Sequence, residues 1–506
     1  MIRNPTNPIF NIDFYKVGHF EQYPSDTTQV WSNWTPRKSR VLGLSRVANV
    51  GFTYFAKKHL LEDFNQGFFN VPEGVVLSEY KDVVSSCLGV KSPRVDHIQA
   101  LHRLGYLPIK VYALPEGHGV PFGVPALVIT NTRPEAFWLP NYLETLLSAG
   151  LWRIATSATT AQRYRRIFEQ YAKEAGEEDL GFVDWQGHDF SCRGMGGIED
   201  AIQSGLGHLF CFSGTDTVPA VVAAKQYYGA KLTIGGSVPA TEHSVMSAGL
   251  DIAEFETFER LLFDVYPTGI LSIVSDTWDL WKVLTDYVPR LKGKILARQG
   301  KLVIRPDSGD PVDILCGDDS MAGHSHSYKT YRDHPAFYGA IQLLATALGT
   351  DSNRQGLPLI KNGGLIYGDS ITPERADAIL SKTVHKLHLS PYNVVLGIGS
   401  YTYCYVTRDT YGFAMKATAV RRGGEILSIF KKPVTDDGTK FSLKGIPVVY
   451  RTEWSTPDKP IYYARDMSTE DALEHCALEK VFEDGKLLVD VPFDTVRERV
   501  IQGCRY

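Results

Sequence analysis

Polar residues suited to binding a phosphorylated sugar follow four short apolar segments of this sequence. Each segment resembles a strand that leads into a polar loop and then a helical pattern, as in Leu302-Val303-Ile304 before Arg305-Pro306-Asp307. Loops at the carboxyl ends of parallel strands form the active sites of (β/α) barrels. The pattern therefore predicts a site at one edge of a parallel sheet. Its candidate residues are Ser272, Asp276, Arg305, Asp307, Gly368, Asp369, Gly399 and Ser400.

An earlier segment, His188–Gly194, adds an aromatic residue and an arginine, which together could hold a planar cationic ring beside a polyphosphate. Arginines suit phosphate or pyrophosphate, and carboxylates suit sugar hydroxyls or Mg²⁺. Glycine N–H groups at a helix start suit a terminal phosphate, although Gly397-Ile398-Gly399-Ser400 is equally compatible with an ordinary turn. No Walker loop, dinucleotide fingerprint or nucleophile elbow is present. The residues together predict a phosphorylated sugar as ligand.

The composition excludes several classes of protein. A formal net charge of −4 and the absence of a long basic block give no electrostatic reason to expect nucleic acid. No apolar run is long enough to cross a bilayer, and the first residues lack the apolar core of a signal peptide, so we expect no membrane partner and a cytoplasmic location. The seven cysteines are scattered, which favours reduced thiols.

The predicted fold class is α/β, with a (β/α) barrel-like parallel sheet domain and an α+β lobe built from both chain ends. With 506 residues the chain is too long for one ordinary domain. We predict an amino-terminal α+β lobe over 1–155, a (β/α) barrel-like domain over 156–422, and carboxy-terminal strands over 423–506 that rejoin the first lobe.

Local patterns predict particular helices and one insertion. Helices are expected near 51–64 and 134–154, and an amphipathic helix with a solvated basic face over 161–175. Thr372-Pro373-Glu374 supplies a capping hydroxyl, a proline at the first helical position and an early acid. The polar insertion 316–335 contains His324 and His326. Two interpretations remain, a metal site and an ordinary surface loop.

Ordered motifs over nearly the whole chain resemble the nicotinamide phosphoribosyltransferases, a type II phosphoribosyltransferase family. The motifs are Asp13-Phe14-Tyr15-Lys16, His188-Asp189-Phe190, Gly214-Thr215-Asp216-Thr217, Glu242-His243-Ser244, Ile304-Arg305-Pro306-Asp307-Ser308-Gly309 and Thr407-Arg408-Asp409. The resemblance implies an enzyme that joins nicotinamide to 5-phosphoribosyl-1-pyrophosphate (PRPP), giving nicotinamide mononucleotide and pyrophosphate in NAD salvage. It also implies a homodimer with shared active sites, Mg²⁺ as cofactor, and stimulation by ATP.

The resemblance also implies a role for each base-binding residue. Phe190 would stack on one face of nicotinamide, and Tyr15 of the partner subunit on the other. Asp216 would accept a hydrogen bond from the carboxamide nitrogen and repel nicotinate. Ser272 would line the nicotinamide pocket, and Arg305 would contact the amide oxygen.

For the phosphoribosyl and pyrophosphate groups, the resemblance implies a larger set of contacts. These residues are Arg193, Asp276, Asp307, Gly368, Asp369, Gly399 and Ser400, with Arg37, Arg408 and Lys416 from the partner subunit. The catalytic residues would be His243, Asp307, Arg305 and Arg193, and ATP would phosphorylate His243. The chain departs from the family pattern where Ser400 and Tyr401 follow Gly399 and where Cys192 replaces a tyrosine.

Two other functions fit the same residues. A nicotinate phosphoribosyltransferase would keep the barrel and the sugar phosphate site, but Asp216 argues against it. A non-catalytic sensor of NAD metabolites would keep the pocket without turnover. The complete set of arginines and aspartates argues against a sensor, because a sensor needs no intact pyrophosphate site.

Overall fold

The computed structural model describes residues 6–231, 234–321, 334–351, 354–430, 443–456, 461–467 and 469–504. His324 and His326 lie outside the described residues, so the metal site considered for the insertion stays a prediction. The chain divides into two compact units. Unit 1 comprises Met1–Thr159, Val222–Lys231 and Val406–Tyr506, and unit 2 comprises Thr160–Val221 and Leu232–Tyr405.

The strands and α-helices are numbered in chain order. The strands are β1 Thr27–Pro36, β2 Arg46–Ala48, β3 Ile109–Ala113, β4 Gly119–Pro121, β5 Leu127–Asn131, β6 Gly187–Asp189, β7 Gly214–Thr215, β8 Thr268–Val274, β9 Gln299–Arg305, β10 Thr350–Asp351, β11 Leu359–Ile360, β12 Gly363–Tyr367, β13 Val394–Ile398, β14 Phe413–Arg422, β15 Glu425–Ser428, β16 Ile446–Arg451, β17 Tyr462–Met467, β18 Glu479–Glu483 and β19 Lys486–Leu487. The helices are α1 His19–Gln22, α2 Phe52–Phe55, α3 Glu73–Leu88, α4 Asp96–Leu104, α5 Leu139–Tyr142, α6 Glu144–Glu174, α7 Val183–Gln186, α8 Ile198–Leu209, α9 Val218–Tyr228, α10 His243–Ser247, α11 Glu254–Arg260, α12 Leu280–Lys282, α13 Val288–Ala297, α14 Pro311–Cys316, α15 Pro335–Leu348, α16 Pro373–Ser381, α17 Ser400–Tyr403 and α18 Phe493–Cys504.

Unit 1 is built on an antiparallel sheet to which both chain ends contribute. Its strand order is β15-β14-β1-β5-β3-β18-β19. The long β1 and β14 pair along their length, and the buried rings of Trp34 and Phe413 stack at 5.1 Å between centroids. This confirms an α+β lobe made from the two ends. Because β14 pairs with β1, residues 406–422 belong to this unit and not to the barrel domain predicted over 156–422.

Unit 2 is built on a parallel sheet in the order β7-β6-β13-β12-β9-β8. The segment that follows β7 closes the sheet, since Gly236 forms a parallel bridge with Gly214 in β7 and Ala240 forms one with Ser272 in β8. The strands are mostly buried and rich in Val, Ile and Leu, as expected for a parallel sheet covered by helices. The predicted (β/α) barrel-like domain is confirmed, including the strands predicted at 271, 302, 365 and 394.

Helix boundaries agree with the sequence where capping chemistry is present. Helix α16 begins at Pro373, and the Thr372 side chain accepts a hydrogen bond from the backbone N–H of Arg375, as predicted. The helices predicted over 134–154 and 161–175 are mostly one helix, the 31-residue α6. In the part of the chain that the structure describes, no helix is both long and apolar enough to span a bilayer.

The expectation of a solvated basic face on the 161–175 helix is wrong for Arg165. Its side chain is buried, and its guanidinium donates to Glu169 at 2.9 Å and to Asp184 at 2.7 Å. It also donates to the backbone carbonyl of Cys211 at 2.6 Å. A pattern of charges along one helix reveals a partner such as Glu169, but not Asp184 or Cys211, because those two residues lie outside α6.

Unit 1 also encloses a buried carboxyl group, that of Glu116. Its Oε1 accepts hydrogen bonds from the backbone N–H of Thr53 at 2.9 Å and from the Tyr228 hydroxyl at 3.5 Å. Burial raises the pKa of Glu116 to about 7, although the hydrogen bonds from Thr53 favour the ionised form. Ionisation of Glu116 near neutral pH therefore opposes folding of this unit.

We predict that Glu116→Gln increases the free energy of unfolding relative to wild type, and that this increase is larger at pH 8 than at pH 5. The folded pKa is raised, so the contribution of Glu116 is fully present below its unfolded pKa and is lost as pH rises through about 7. The cost above that pH is roughly 3 kcal/mol, which the neutral amide avoids. Urea unfolding at both pH values measures the difference. The exposed Glu135→Gln is the control, and an equal response of the two variants would contradict the prediction.

Candidate active site at the carboxyl edge of the barrel

A cavity of about 720 Å³ lies in unit 2, where the loops after β6, β9, β12 and β13 meet. It is lined by Phe190, Cys192, Arg193, Asp216, Ala240, Thr241, Glu242, Arg305, Asp307, Gly368, Asp369, Ser370, Gly399, Ser400 and Tyr401. Most of the residues predicted from the strand ends therefore meet in one place. A second, more apolar cavity of about 520 Å³ shares Phe190, Asp216 and Arg305 with the first and includes Ser272.

Phe190 forms an aromatic floor where the two cavities meet. A Cβ at Gly397 would overlap its ring and would approach the Cα of Gly368 to 2.7 Å, so the ring can pack against the backbone of β13 only because residue 397 is glycine. The Arg305 guanidinium carbon is 5.2 Å from the ring centroid. The arrangement offers an aromatic ring with a cation over it, which suits a planar ligand that carries a hydrogen-bond acceptor.

Asp216 faces this floor with a carboxylate that the structure keeps ionised. Its Oδ1 lies 3.0 Å from Nε2 of the buried His188. Partial burial alone would raise the pKa of Asp216, but hydrogen bonds from His188 and Ser237 and the charge of Arg305 hold it below its ordinary value. The sequence singled out Asp216, but it gave no role to His188 or Ser237.

Two neighbouring carboxylates follow β8 and β9. Asp276 Oδ2 accepts hydrogen bonds from the backbone N–H of Asp307 at 2.7 Å and from the Ser308 hydroxyl at 2.6 Å. Arg305 lies 3.6 Å from Asp307. Burial, followed by the charges of Asp276 and Asp369, raises the pKa of Asp307, whereas Arg305 and His243 lower it. A cation bound beside these carboxylates would therefore stabilise the ionised form of Asp307.

Magnesium fits this cluster when it is shared with a substrate. Among the described residues, no group of three acidic, histidine or cysteine side chains could hold a metal ion alone. Within the same residues, the buried Asp276 Oδ1 accepts no hydrogen bond. Mg²⁺ bound to a pyrophosphate needs only one or two protein carboxylates, because phosphate oxygens and waters complete its shell. Asp276 and Asp307 supply that number.

His243 begins helix α10 beside these carboxylates. Its Nδ1 lies 3.0 Å from the Thr277 hydroxyl, and its Nε2 lies 3.9 Å from Asp276 and 4.0 Å from Asp307. The side chain is half exposed, and the adjacent Glu242 lines the cavity. Thr277 holds one ring nitrogen and leaves the other directed at the acidic pair. Sequence reasoning had not identified Thr277.

The loop predicted to hold a phosphate lines the same cavity as Asp307. Gly399 precedes the short helix α17, whose first N–H groups have no partner within the helix. Arg193 lies on a neighbouring 3₁₀ turn, Cys192–Gly194, whose Gly194 carbonyl accepts a hydrogen bond from Cys404 at 3.1 Å. Backbone N–H groups, the Ser400 hydroxyl and Arg193 together suit an anion, despite the single glycine before Ser400.

Four further predicted residues lie in unit 1. Tyr15, on the 3₁₀ helix Phe14–Lys16, has 62% of its surface exposed. Arg37 and Arg408 are exposed. Burial lowers the pKa of Lys416, and the positive charges of Arg37, Lys16 and Arg408 lower it further, although Glu144 opposes them. The predicted partner residues therefore include a cluster of cations.

The fold and the cavity define the class of protein, one with a (β/α) barrel-like sheet whose carboxyl edge carries a polar cavity suited to a phosphorylated sugar. A family model described as the nicotinate phosphoribosyltransferase (NAPRTase) family matches residues 185–486. A nicotinamide phosphoribosyltransferase from Acinetobacter baylyi is 46% identical over 98% of this chain and 97% of its own length. One from Mycoplasma pneumoniae is 34% identical over 86% of this chain and 93% of its own. The chain belongs to the NAPRTase family and is a phosphoribosyltransferase, which confirms the resemblance found in its motifs.

Two solved structures share the fold. The nicotinate-nucleotide pyrophosphorylase from Pyrococcus furiosus has a TM-score of 0.56 at 15% identity, covering 98% of this chain and 96% of its own. Human nicotinic acid phosphoribosyltransferase has a TM-score of 0.54 at 15% identity, covering 98% and 93%. At such identity the likeness supports the architecture alone. It does not indicate whether this chain uses nicotinamide or nicotinate.

We predict that Gly397→Ala destabilises the protein by about 1–3 kcal/mol, because the added methyl group overlaps the Phe190 ring and the backbone of Gly368. Gly399→Ala is the matched control two residues away, where a Cβ would meet only the Gly368 carbonyl at 3.8 Å. Urea unfolding of both variants measures the effect. Equal stability of the two variants would show that the aromatic floor tolerates a side chain at 397.

Proposed function

We propose that the chain transfers the phosphoribosyl group of PRPP to nicotinamide, forming nicotinamide mononucleotide and pyrophosphate in NAD salvage. The observation that carries the choice of base is Asp216, an ionised carboxylate beside the aromatic floor. A carboxamide N–H donates to it, whereas the carboxylate of nicotinate would meet a like charge. The two relatives named nicotinamide phosphoribosyltransferase support the same substrate.

The transfer requires placement and charge neutralisation rather than a protein nucleophile. The bond from the anomeric carbon to pyrophosphate breaks, the ribose carbon becomes positively charged, and the pyridine nitrogen attacks from the opposite face. Arg193 and Arg305 neutralise developing negative charge on the leaving group, and Mg²⁺ bound at Asp276 and Asp307 would neutralise more. Asp307 and Asp369 bind ribose hydroxyls, and Gly368, Gly399 and Ser400 position the sugar phosphate.

We propose further that two copies of the chain complete each other's sites. The exposed Tyr15 supplies the second face of the nicotinamide sandwich in the partner's cavity, opposite Phe190. Arg37, Arg408 and Lys416 supply cations to the phosphate groups there. Burial, and after it repulsion from Arg37, Lys16 and Arg408, lowers the pKa of Lys416. An incoming phosphate would relieve that repulsion, which supports this role.

A link to ATP rests on His243. With Nδ1 held by Thr277, the Nε2 lone pair can attack the γ-phosphorus of ATP, forming an N–P bond as ADP leaves. Hydrolysis of this phosphohistidine would favour product formation.

The seven cysteines are all free, which supports a cytoplasmic location, where thiols stay reduced.

The experiment that tests the function is turnover of PRPP and Mg²⁺ with either nicotinamide or nicotinate, with and without ATP. Mononucleotide formed preferentially from nicotinamide is the expected product. The family name keeps nicotinate as the second candidate, and preferential turnover of nicotinate would establish it. No turnover with either base would leave a sensor of NAD metabolites.

We predict that Asp216→Asn raises kcat/KM for nicotinate relative to nicotinamide by about tenfold or more. The reason is that the substitution removes a like-charge contact worth more than ~1.4 kcal/mol. Competition between the two bases at fixed PRPP measures the ratio. Asp369→Asn, in the same cavity but on the ribose side, is the control and should leave the ratio unchanged. A shift of equal size in both variants would remove Asp216 from base selection.

We predict that wild-type protein incubated with labelled ATP acquires acid-labile phosphate and that His243→Asn acquires none. The same substitution should abolish stimulation by ATP and preserve ATP-independent transfer, because the transfer itself needs no nucleophile. His475→Asn, an exposed histidine, is the control. Phosphate retained by His243→Asn would place the phosphorylation elsewhere.

A further inference from the structure

His188 lies beside Asp216 and has no role in the phosphoribosyl transfer described above. It occupies the middle of β6, pairs in register with Gly214 of β7, and is buried. Its Nε2 lies 3.0 Å from Asp216 Oδ1, and its ring lies 4.7 Å from that of Phe190. A Cβ at residue 214 would come within 2.8 Å of His188 Nδ1, so the glycine of β7 makes room for the ring.

Asp216 has a second potential partner of opposite charge. Arg305 lines the same two cavities, and its charge is close enough to lower the pKa of Asp216. Among the described residues, however, Arg305 pairs with Asp307 at 3.6 Å and forms no ion pair with Asp216. The buried Arg305 Nε has no hydrogen-bond partner within those residues. Arg305 is therefore an alternative hydrogen-bond donor toward which the carboxylate of Asp216 could turn.

We infer that His188 is a positioning residue that sets base selectivity by holding Asp216 away from Arg305. The inference rests on the proposed function, because it concerns how Asp216 recognises the base. A hydrogen bond from His188 Nε2–H to Oδ1 fixes the plane of the carboxylate and leaves Oδ2 to accept the carboxamide N–H. Without it, Asp216 pairs with Arg305, and the two charges cancel. Nicotinate then meets less repulsion, and nicotinamide loses its acceptor.

Three substitutions test this geometry. His188→Leu removes the donor and keeps the bulk. His188→Gln retains a donor, because the side-chain nitrogen of glutamine reaches about the position of histidine Nε2. Gly214→Ala leaves every charge in place and displaces the His188 ring. Each full-length variant is assayed with nicotinamide and with nicotinate at saturating PRPP and Mg²⁺. The KM for PRPP is measured separately by varying PRPP, and the thermal midpoint of each variant is recorded.

We expect His188→Leu and Gly214→Ala to lower the ratio of kcat/KM for nicotinamide to that for nicotinate by roughly tenfold, the value of one hydrogen bond to a charged group. His188→Gln should restore the ratio to within about threefold of wild type, and KM for PRPP should not follow the ratio. In an Asp216→Asn background, His188→Leu should change the ratio less than about twofold, because the two residues act through one contact.

Several results would overturn the role of His188. These are an unchanged ratio in His188→Leu, a loss in His188→Gln equal to that in His188→Leu, or additive effects in the double variant. A purely structural role would lower the thermal midpoint and both activities together and would leave their ratio constant. Failure of the proposed function is seen separately, as preferential turnover of nicotinate by the wild-type protein. In that case the contact would still be tested by the double variant.

Discussion

The register of the parallel strands at the carboxyl edge of the barrel is the constraint on which the site depends. Val274 of β8 lies opposite Arg305 of β9, so Asp276 and Asp307 each follow that pair by two residues. Asp276 can therefore accept a hydrogen bond from the backbone N–H of Asp307. A slip of one residue would turn every side chain to the opposite face and would separate this pair.

The same register controls how charge is distributed before any substrate binds. Arg305 ends β9 and Asp307 follows it, whereas His188 lies in β6 and Asp216 follows the adjacent β7. Each of the two carboxylates therefore has its own neighbour, Arg305 for Asp307 and His188 for Asp216. Burial in a medium of low polarity makes each unsatisfied group costly, and a ligand that satisfies it gains accordingly. The unpartnered Asp276 Oδ1 and Arg305 Nε, both buried, are such groups among the described residues. Substrate recognition thus uses groups whose desolvation has already occurred during folding.

The sequence predicted the fold class and the lobe made from both chain ends, because strand periodicity and the loops after strands are local signals. It also placed Arg305, Asp307 and Gly368 in one cavity, since parallel strands bring their carboxyl ends together. The structure places the boundary near 406 and not near 422, because β14 pairs with β1. The sequence of β14 alone does not show which sheet it joins. Arg165, predicted to be solvated, is buried because its partners, Asp184 and Cys211, come from other elements.

His188 and Thr277 show a second limit of sequence reasoning. Each contacts a residue already singled out, yet neither spacing nor residue type distinguishes such a contact from ordinary packing. The contact between His188 and Asp216 depends on Gly214 in the adjacent strand β7, because a side chain at 214 would crowd the His188 ring. Discrimination between an amide and a carboxylate depends on the position of one charge, whereas the barrel and the phosphate contacts serve either base. Chains with the same architecture can therefore differ in substrate, and in the proposed site His188 holds the carboxylate that repels nicotinate.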